Sequence, residues 1–290
     1  MKRNNQKRNA LIAVVLTAWL ATGCAEIDPS KRVVFLDGAS YFGAGPSVKS
    51  GLRNAGYDGE FRGFVWTSFL LWGADHLIAA RSTLNAKNLA GYIERYYRDQ
   101  PDGELTLMGL SAGSAVILNA LERLPENMMV ENVVLFQPSV SASHNLTPAL
   151  LHVRGKLYAT CSRRDAILAT LGVNADGEAG APAGRSGFRI ASGLTTKQRQ
   201  LYTKVVNLPW RRQYNKYGWR GGHVTSTSRK FVKHIIAPRV MEPSKPTPPR
   251  RFPIPGTERD DLDDRDNAIE HDGVNHDDQY ESSDDAQTAK

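Results

Sequence analysis

Leu105-Thr106-Leu107-Met108-Gly109-Leu110-Ser111-Ala112-Gly113-Ser114-Ala115-Val116-Ile117-Leu118-Asn119-Ala120-Leu121 is the stretch whose reading decides the fold. Its first four residues form a short apolar run suited to a buried strand. Ala115 to Leu121 reads as a helix. Between them lies a G-x-S-x-G pentapeptide, Gly109-Leu110-Ser111-Ala112-Gly113. A serine on so sharp a strand-to-helix turn is held with its hydroxyl above the sheet, and its small neighbours let other backbone approach. A chain of this length holds about 0.1 such pentapeptides by chance at average composition. The flanking strand and helix make a chance match rarer still.

Further strands alternate with helices on both sides of this unit. Arg32 to Leu36 is β-prone and continuous, followed by a glycine-rich turn (Asp37-Gly38-Ala39-Ser40, with Gly43, Gly45 and Pro46) and a helix through Ser47 to Ala55. Gly63 to Trp66 reads as a second strand, and Asn85 to Arg98 as a helix with Leu89, Ile93 and Tyr97 on one face. Strands follow at Asn132–Phe136, Leu157–Cys161 and Lys204–Leu208, then a last helix from Arg229 to Ile236. This alternation predicts an α/β fold: a three-layer α/β/α sandwich on a mainly parallel sheet of about six strands. The Gly- and Ala-rich segment from Gly172 to Gly187 suits neither element and reads as a substrate lid or surface decoration.

A serine hydroxyl needs a base to take its proton, and the base needs a third group to orient it. The chain supplies an acid and then a histidine in order. The fifth strand runs into Ser162-Arg163-Arg164-Asp165, and His223 lies in the glycine-flanked loop Trp219-Arg220-Gly221-Gly222-His223. Asp176, in the Gly-rich segment, is the alternative acid. His76, His144, His152 and His234 read as ordinary surface or core histidines by their positions. Trp66, Phe69 and Trp72 read as core or pocket wall. No Cys/His cluster has metal-ligand spacing, so neither a metal nor another cofactor is expected.

The serine turn, the S-x-x-D segment after a strand and the G-G-H loop, in that order, resemble the α/β-hydrolase superfamily over about residues 32–238. Two upstream strands of that family are missing, which marks a reduced form. The resemblance implies a serine hydrolase with Ser111 as nucleophile, His223 as general base and acid, and Asp165 orienting the imidazole. It also implies an oxyanion hole from the backbone N–H of Ala112 and that of Gly38 or Ala39. Asp37 stands where lipases often have histidine, so either its carboxylate points away from any oxyanion or the hole is built differently. A carboxylic ester is the expected substrate, small or lipidic, although the fold also hosts amidases and thioesterases. The alternative is a catalytically inactive hydrolase-like lipoprotein that binds through its pocket or basic face.

The ends carry different information. Lys2, Arg3, Lys7 and Arg8 precede an apolar run from Ala10 to Leu20, which has the form of a signal peptide over residues 1–23. Leu20-Ala21-Thr22-Gly23-Cys24 resembles the lipobox of bacterial lipoproteins, with Cys24 as the lipidated residue; ordinary signal-peptidase cleavage is the alternative. That reading places the protein at the cell envelope, outside the cytoplasm and tethered to a membrane, with residues 24–31 as a linker. It leaves Cys161 alone and without a disulfide. Residues 239–290 turn Pro-rich and then acidic, a composition expected to be disordered. From Glu258 to Lys290 there are 13 Asp and Glu against 3 Lys and Arg, within a chain of net charge +7. The basic remainder permits contact with anionic surfaces, but no nucleic-acid motif accompanies it. Oligomeric state is not legible in the sequence.

Overall fold

The computed structural model describes residues 27–39, 43–66, 83–170 and 174–242. Six strands form one sheet: β1 (Asp28–Leu36), β2 (Gly59–Gly63), β3 (Glu104–Leu110), β4 (Asn132–Phe136), β5 (Leu157–Cys161) and β6 (Val205–Pro209). Their order across the sheet is β2-β1-β3-β4-β5-β6, and every neighbouring pair is parallel. The expected three-layer α/β architecture is therefore present. Every residue of β4 and β5 is buried, as expected of central parallel strands covered on both faces.

The helices α1 (Ala44–Arg53), α2 (Thr83–Asp99) and α3 (Gly113–Leu121) cover the sheet. On one face Ala44, Val48 and Leu52 of α1 pack with Phe231, Val232 and Ile236 over Val33, Phe35, Met108 and Phe136. Side chains alternate along a strand, so Val34, Leu36 and Leu107 point to the opposite face, where α2 and α3 pack together. Short helices α4 (Thr147–Leu151), α5 (Ala166–Thr170), α6 (Ala183–Ser186) and α7 (Thr196–Leu201) lie in the second half.

Two boundaries differ from the sequence reading, each for a physical reason. The second strand is Gly59–Gly63 rather than Gly63–Trp66. It is an edge strand paired only to β1, so it tolerates Glu60, which binds Arg32 at 2.6 Å. Val65, in the apolar run that suggested the strand, is 81% exposed. The last helical run does not stop at Ile236. Arg229–Phe231 continues into a π-helical turn, Val232–Ile236, and then into Ala237–Met241. Pro238 falls in the first turn of that last piece, where its missing N–H costs least, and the wider π turn precedes it.

The Gly-rich segment is pinned down rather than free. Ala175 N–H donates to Ser139 O at 2.7 Å, Ala142 N–H to Ala181 O at 2.9 Å and Ala183 N–H to Val140 O at 2.7 Å. Ala183–Ser186 is helical within it. Phe69, Trp72, His76, Cys24 and the acidic tail lie outside the described residues.

Candidate active site

Ser111 follows the last residue of β3 and has φ +52°, a left-handed conformation in which an L side chain is strained. The strain is held by packing and by a hydrogen bond from Ser111 N–H to Phe136 O at 2.9 Å. Both glycines of the pentapeptide are required by close approach. A Cβ on Gly109 would lie 2.7 Å from Ile117 Cδ1 and 3.1 Å from the backbone of Gly113. One on Gly113 would lie 2.8 Å from the carbonyl oxygen of Asp37. The turn can thus fold back on α3 and against the end of β1 only with hydrogen at both positions.

The two other elements reach the same edge of the sheet. Asp165 follows β5 by four residues, is fully buried, and accepts a hydrogen bond from Leu168 N–H on Oδ1 at 3.0 Å. Its Oδ2 lies 2.7 Å from Nδ1 of His223, which is also buried. With Nδ1–H donated to the carboxylate, Nε2 of the neutral ring is left as a proton acceptor. The histidine loop is braced by Trp219, fully buried and stacked on Tyr214 at 5.6 Å. Gly221 has φ +90°, and a Cβ there would meet Ser162 Oγ at 3.0 Å. That contact seats the histidine loop directly on the loop carrying Asp165.

The alternative acid is placed elsewhere. Asp176 Oδ2 accepts from Ser141 N–H at 2.9 Å and lies 3.1 Å from Nδ1 of His144. His152 is buried with Nδ1 2.9 Å from Met128 O, and His234 stacks on Tyr217 at 4.9 Å. Cys161 is buried, and that burial pushes its thiol up to about 11, which keeps it an unreactive hydrophobe.

On the other side of Ser111 is the turn after β1. A Cβ on Gly38 would lie 3.3 Å from Ser111 Cβ, so Gly38 borders the serine directly. Ala112, next to Ser111 in the chain, occupies the N-cap position of α3, where backbone N–H groups lack helical partners. Ala39 is the last residue described before the gap at 40–42. Asp37 does turn away from the serine: its Oδ1 accepts from Ala44 N–H at 3.1 Å at the start of α1. Burial raises its carboxyl above the usual carboxylate range, against the pull of the Ala44 and Gly45 N–H groups. Beside it opens a hollow of about 490 Å³ lined by Phe35, Asp37, Phe61, Phe64 and Trp66 among others.

One functional residue escaped the sequence reading. Gln137, immediately after β4, is fully buried and has φ +45°, the only other non-glycine left-handed residue among those described. Its N–H donates to Thr160 Oγ1 at 2.9 Å, and its side-chain amide donates from Nε2 to Asp165 Oδ2 at 3.0 Å. The carboxylate oxygen facing His223 therefore has two donors. A polar residue directly after the strand beside the one that carries Ser111 was the available signal, and without the strand order it carried no meaning.

No protein-family model matches this chain, and no curated protein does. Among solved structures, a Trichoderma reesei cutinase in complex with a phosphonate inhibitor is similar at 16% identity, over 76% of this chain and 85% of that one, with a TM-score of 0.38. The catalytic core domain of acetyl xylan esterase from Trichoderma reesei is similar at 11% identity over 69% and 98%, with a TM-score of 0.38. A Pyrococcus furiosus esterase is similar at 13% identity over 71% and 83%, with a TM-score of 0.36. The fold assignment rests on the parallel sheet and its covering helices, not on likenesses of this size.

Proposed function

We propose that this chain is a serine hydrolase of α/β-hydrolase type that cleaves carboxylic esters. The observation that carries the reading is the buried bond between Asp165 and His223, at the same sheet edge as the strained Ser111. In this reading Ser111 Oγ attacks the ester carbonyl carbon while His223 Nε2 takes its proton. The tetrahedral oxyanion lies against the N–H of Ala112 and that of Gly38 or Ala39. The bond to the alcohol oxygen then breaks, and His223 returns the proton to the departing alcohol. Water repeats the sequence on the acyl-serine: His223 takes its proton, the acid leaves and Ser111 is restored. Asp165 holds the ring in the tautomer that keeps Nε2 free. Each oxyanion donor contributes about 3–4 kcal/mol in such sites, on the order of a hundredfold or more in rate. The turn of Asp37 towards α1 supports the reading, since it removes a carboxylate from the oxyanion side. A lipid on Cys24 would hold the enzyme at a membrane of the cell envelope, within reach of lipidic esters.

The test is fluorophosphonate labelling and p-nitrophenyl ester hydrolysis by the purified protein, beside Ser111→Ala and His223→Ala. Labelling and turnover are expected in the wild type and lost in both variants. A wild type that takes no probe and hydrolyses no ester of any chain length would sink the enzyme reading and favour the inactive binding protein. Partition of the cell-derived protein into the detergent phase, abolished by Cys24→Ser, is the matching test of the anchor. Partition into water with Cys24 intact refutes it.

A further inference from the structure

We propose that His144, Asp176 and Glu178 form a divalent cation site of the zinc type that fastens the Gly-rich segment to the loop after β4. The three ligand atoms all lie within 4.8 Å of one another. His144 Nδ1 is 3.1 Å from Asp176 Oδ2 and 3.2 Å from Glu178 Oε1. Zinc bonds of about 2.1 Å at angles of roughly 90–109° separate ligand atoms by about 3.0–3.4 Å, which both spacings from His144 Nδ1 match.

Three features distinguish this arrangement from an ordinary histidine ion pair. First, Nδ1 carries at most one hydrogen, yet two carboxylate oxygens stand within 3.2 Å of it. One proton serves one of them well; a cation serves both. Second, Glu122 Oε1 lies 3.7 Å from Nε2 of the same ring. That nitrogen is buried with no hydrogen-bond partner among the described residues, and a short approach of Glu122 would supply the carboxylate that, behind a metal-bound histidine, fixes the tautomer leaving the other nitrogen free for the metal. Third, Asp176 is already oriented. Its Oδ2 accepts from Ser141 N–H at 2.9 Å and its Oδ1 from Glu178 N–H at 3.2 Å, leaving lone pairs for a ligand bond.

The local charge points the same way. Three carboxylates surround one imidazole. Even a fully protonated ring leaves negative charge in excess, which a divalent ion neutralises. Asp176 is 4% exposed while Glu178 is 44% exposed, so one side stays open for water to complete the coordination. Sequence spacing hid the site, because His144 and Glu178 are 34 residues apart and meet only when the segment folds back. The consequence is a metal-dependent clip on residues 174–182, whose neighbours Ala183 and Gly184 bond to Val140 and Pro138, next to Gln137.

The experiment uses untagged full-length protein stripped with EDTA and titrated with Zn²⁺ and Co²⁺. One equivalent of Zn²⁺ is expected to bind at micromolar concentration or tighter and to raise the melting temperature by several degrees. Co²⁺ is expected to give visible absorption of nitrogen–oxygen ligation. Glu178→Gln, an exposed change that leaves the core intact, should weaken binding at least tenfold, and Glu122→Gln about 10- to 100-fold. Absence of both the melting shift and the Co²⁺ absorption in the wild type overturns the proposal. So does wild-type affinity in Glu178→Gln, which would place the metal elsewhere. None of these readouts depends on ester hydrolysis, so the cation site and the enzyme reading stand or fall separately.

Discussion

Replacing Gln137 by Leu separates the stability of this protein from its proposed chemistry. The two side chains are close in volume, and both are L residues at the same left-handed φ, so backbone strain is unchanged by the swap. What changes is the second donor to Asp165 Oδ2, at 3.0 Å. Three donors currently hold that carboxylate: His223 Nδ1, Gln137 Nε2 and Leu168 N–H. A buried hydrogen bond to a charged group contributes about 1.5–3 kcal/mol. Expressed fully in the transition state, that is a loss of about 10- to 150-fold in kcat. Stability should move little, because the Oε1 of Gln137 is buried with no partner among the described residues. Removing that orphaned acceptor recovers about 1–3 kcal/mol, offsetting the lost bond. The assay is kcat and KM on a soluble p-nitrophenyl ester, together with a thermal melt of each protein. We expect a 10- to 150-fold fall in kcat, KM within about threefold of wild type, and a melting temperature within a few degrees. A folded Gln137→Leu enzyme with kcat within twofold of wild type would refute a positioning role for Gln137.

Two further changes test neighbouring steps. Asp165→Asn should cost about 10³- to 10⁴-fold in kcat, because the amide can no longer fix the tautomer of His223. Asp176→Asn, bonded to Ser141 and beside His144, should lower the melting temperature while sparing most turnover; the reverse pattern would exchange the two roles. For Asp37 the sign follows from burial, which raises its folded pKa above that of the unfolded chain. The folded state therefore holds the proton more tightly, and the charged form is a burden at neutral pH that fades as pH falls through the raised folded pKa and is gone by about pH 4. Asp37→Asn retains an acceptor for Ala44 N–H and removes the charge. It should be at least as stable as wild type at pH 7, with the difference closing by pH 4 in urea melts. A variant clearly less stable at pH 7 would show that the carboxylate charge favours the start of α1 more than burial opposes it.

The sequence by itself determined the α/β class, five of the six strands to within a few residues, and the order serine, acid, histidine. Those are local properties. Apolar runs, small residues at a tight turn and glycines around a loop leave their mark within a few neighbouring positions. The β2 edge strand was misread because an edge needs no continuous apolar run, and Phe64–Trp66 is more apolar than Glu60–Arg62. Only the tertiary structure decided what meets what. It put Asp165 rather than Asp176 against His223, turned Asp37 onto the N–H of Ala44, and brought Gln137 to the acid from the neighbouring strand. It also gathered Glu122, His144, Asp176 and Glu178 from three separate segments. A hydrogen bond between residues 28 apart, as between Gln137 and Asp165, depends on strand order and on which loop folds over which. Neither is written in the spacing of residues along the chain.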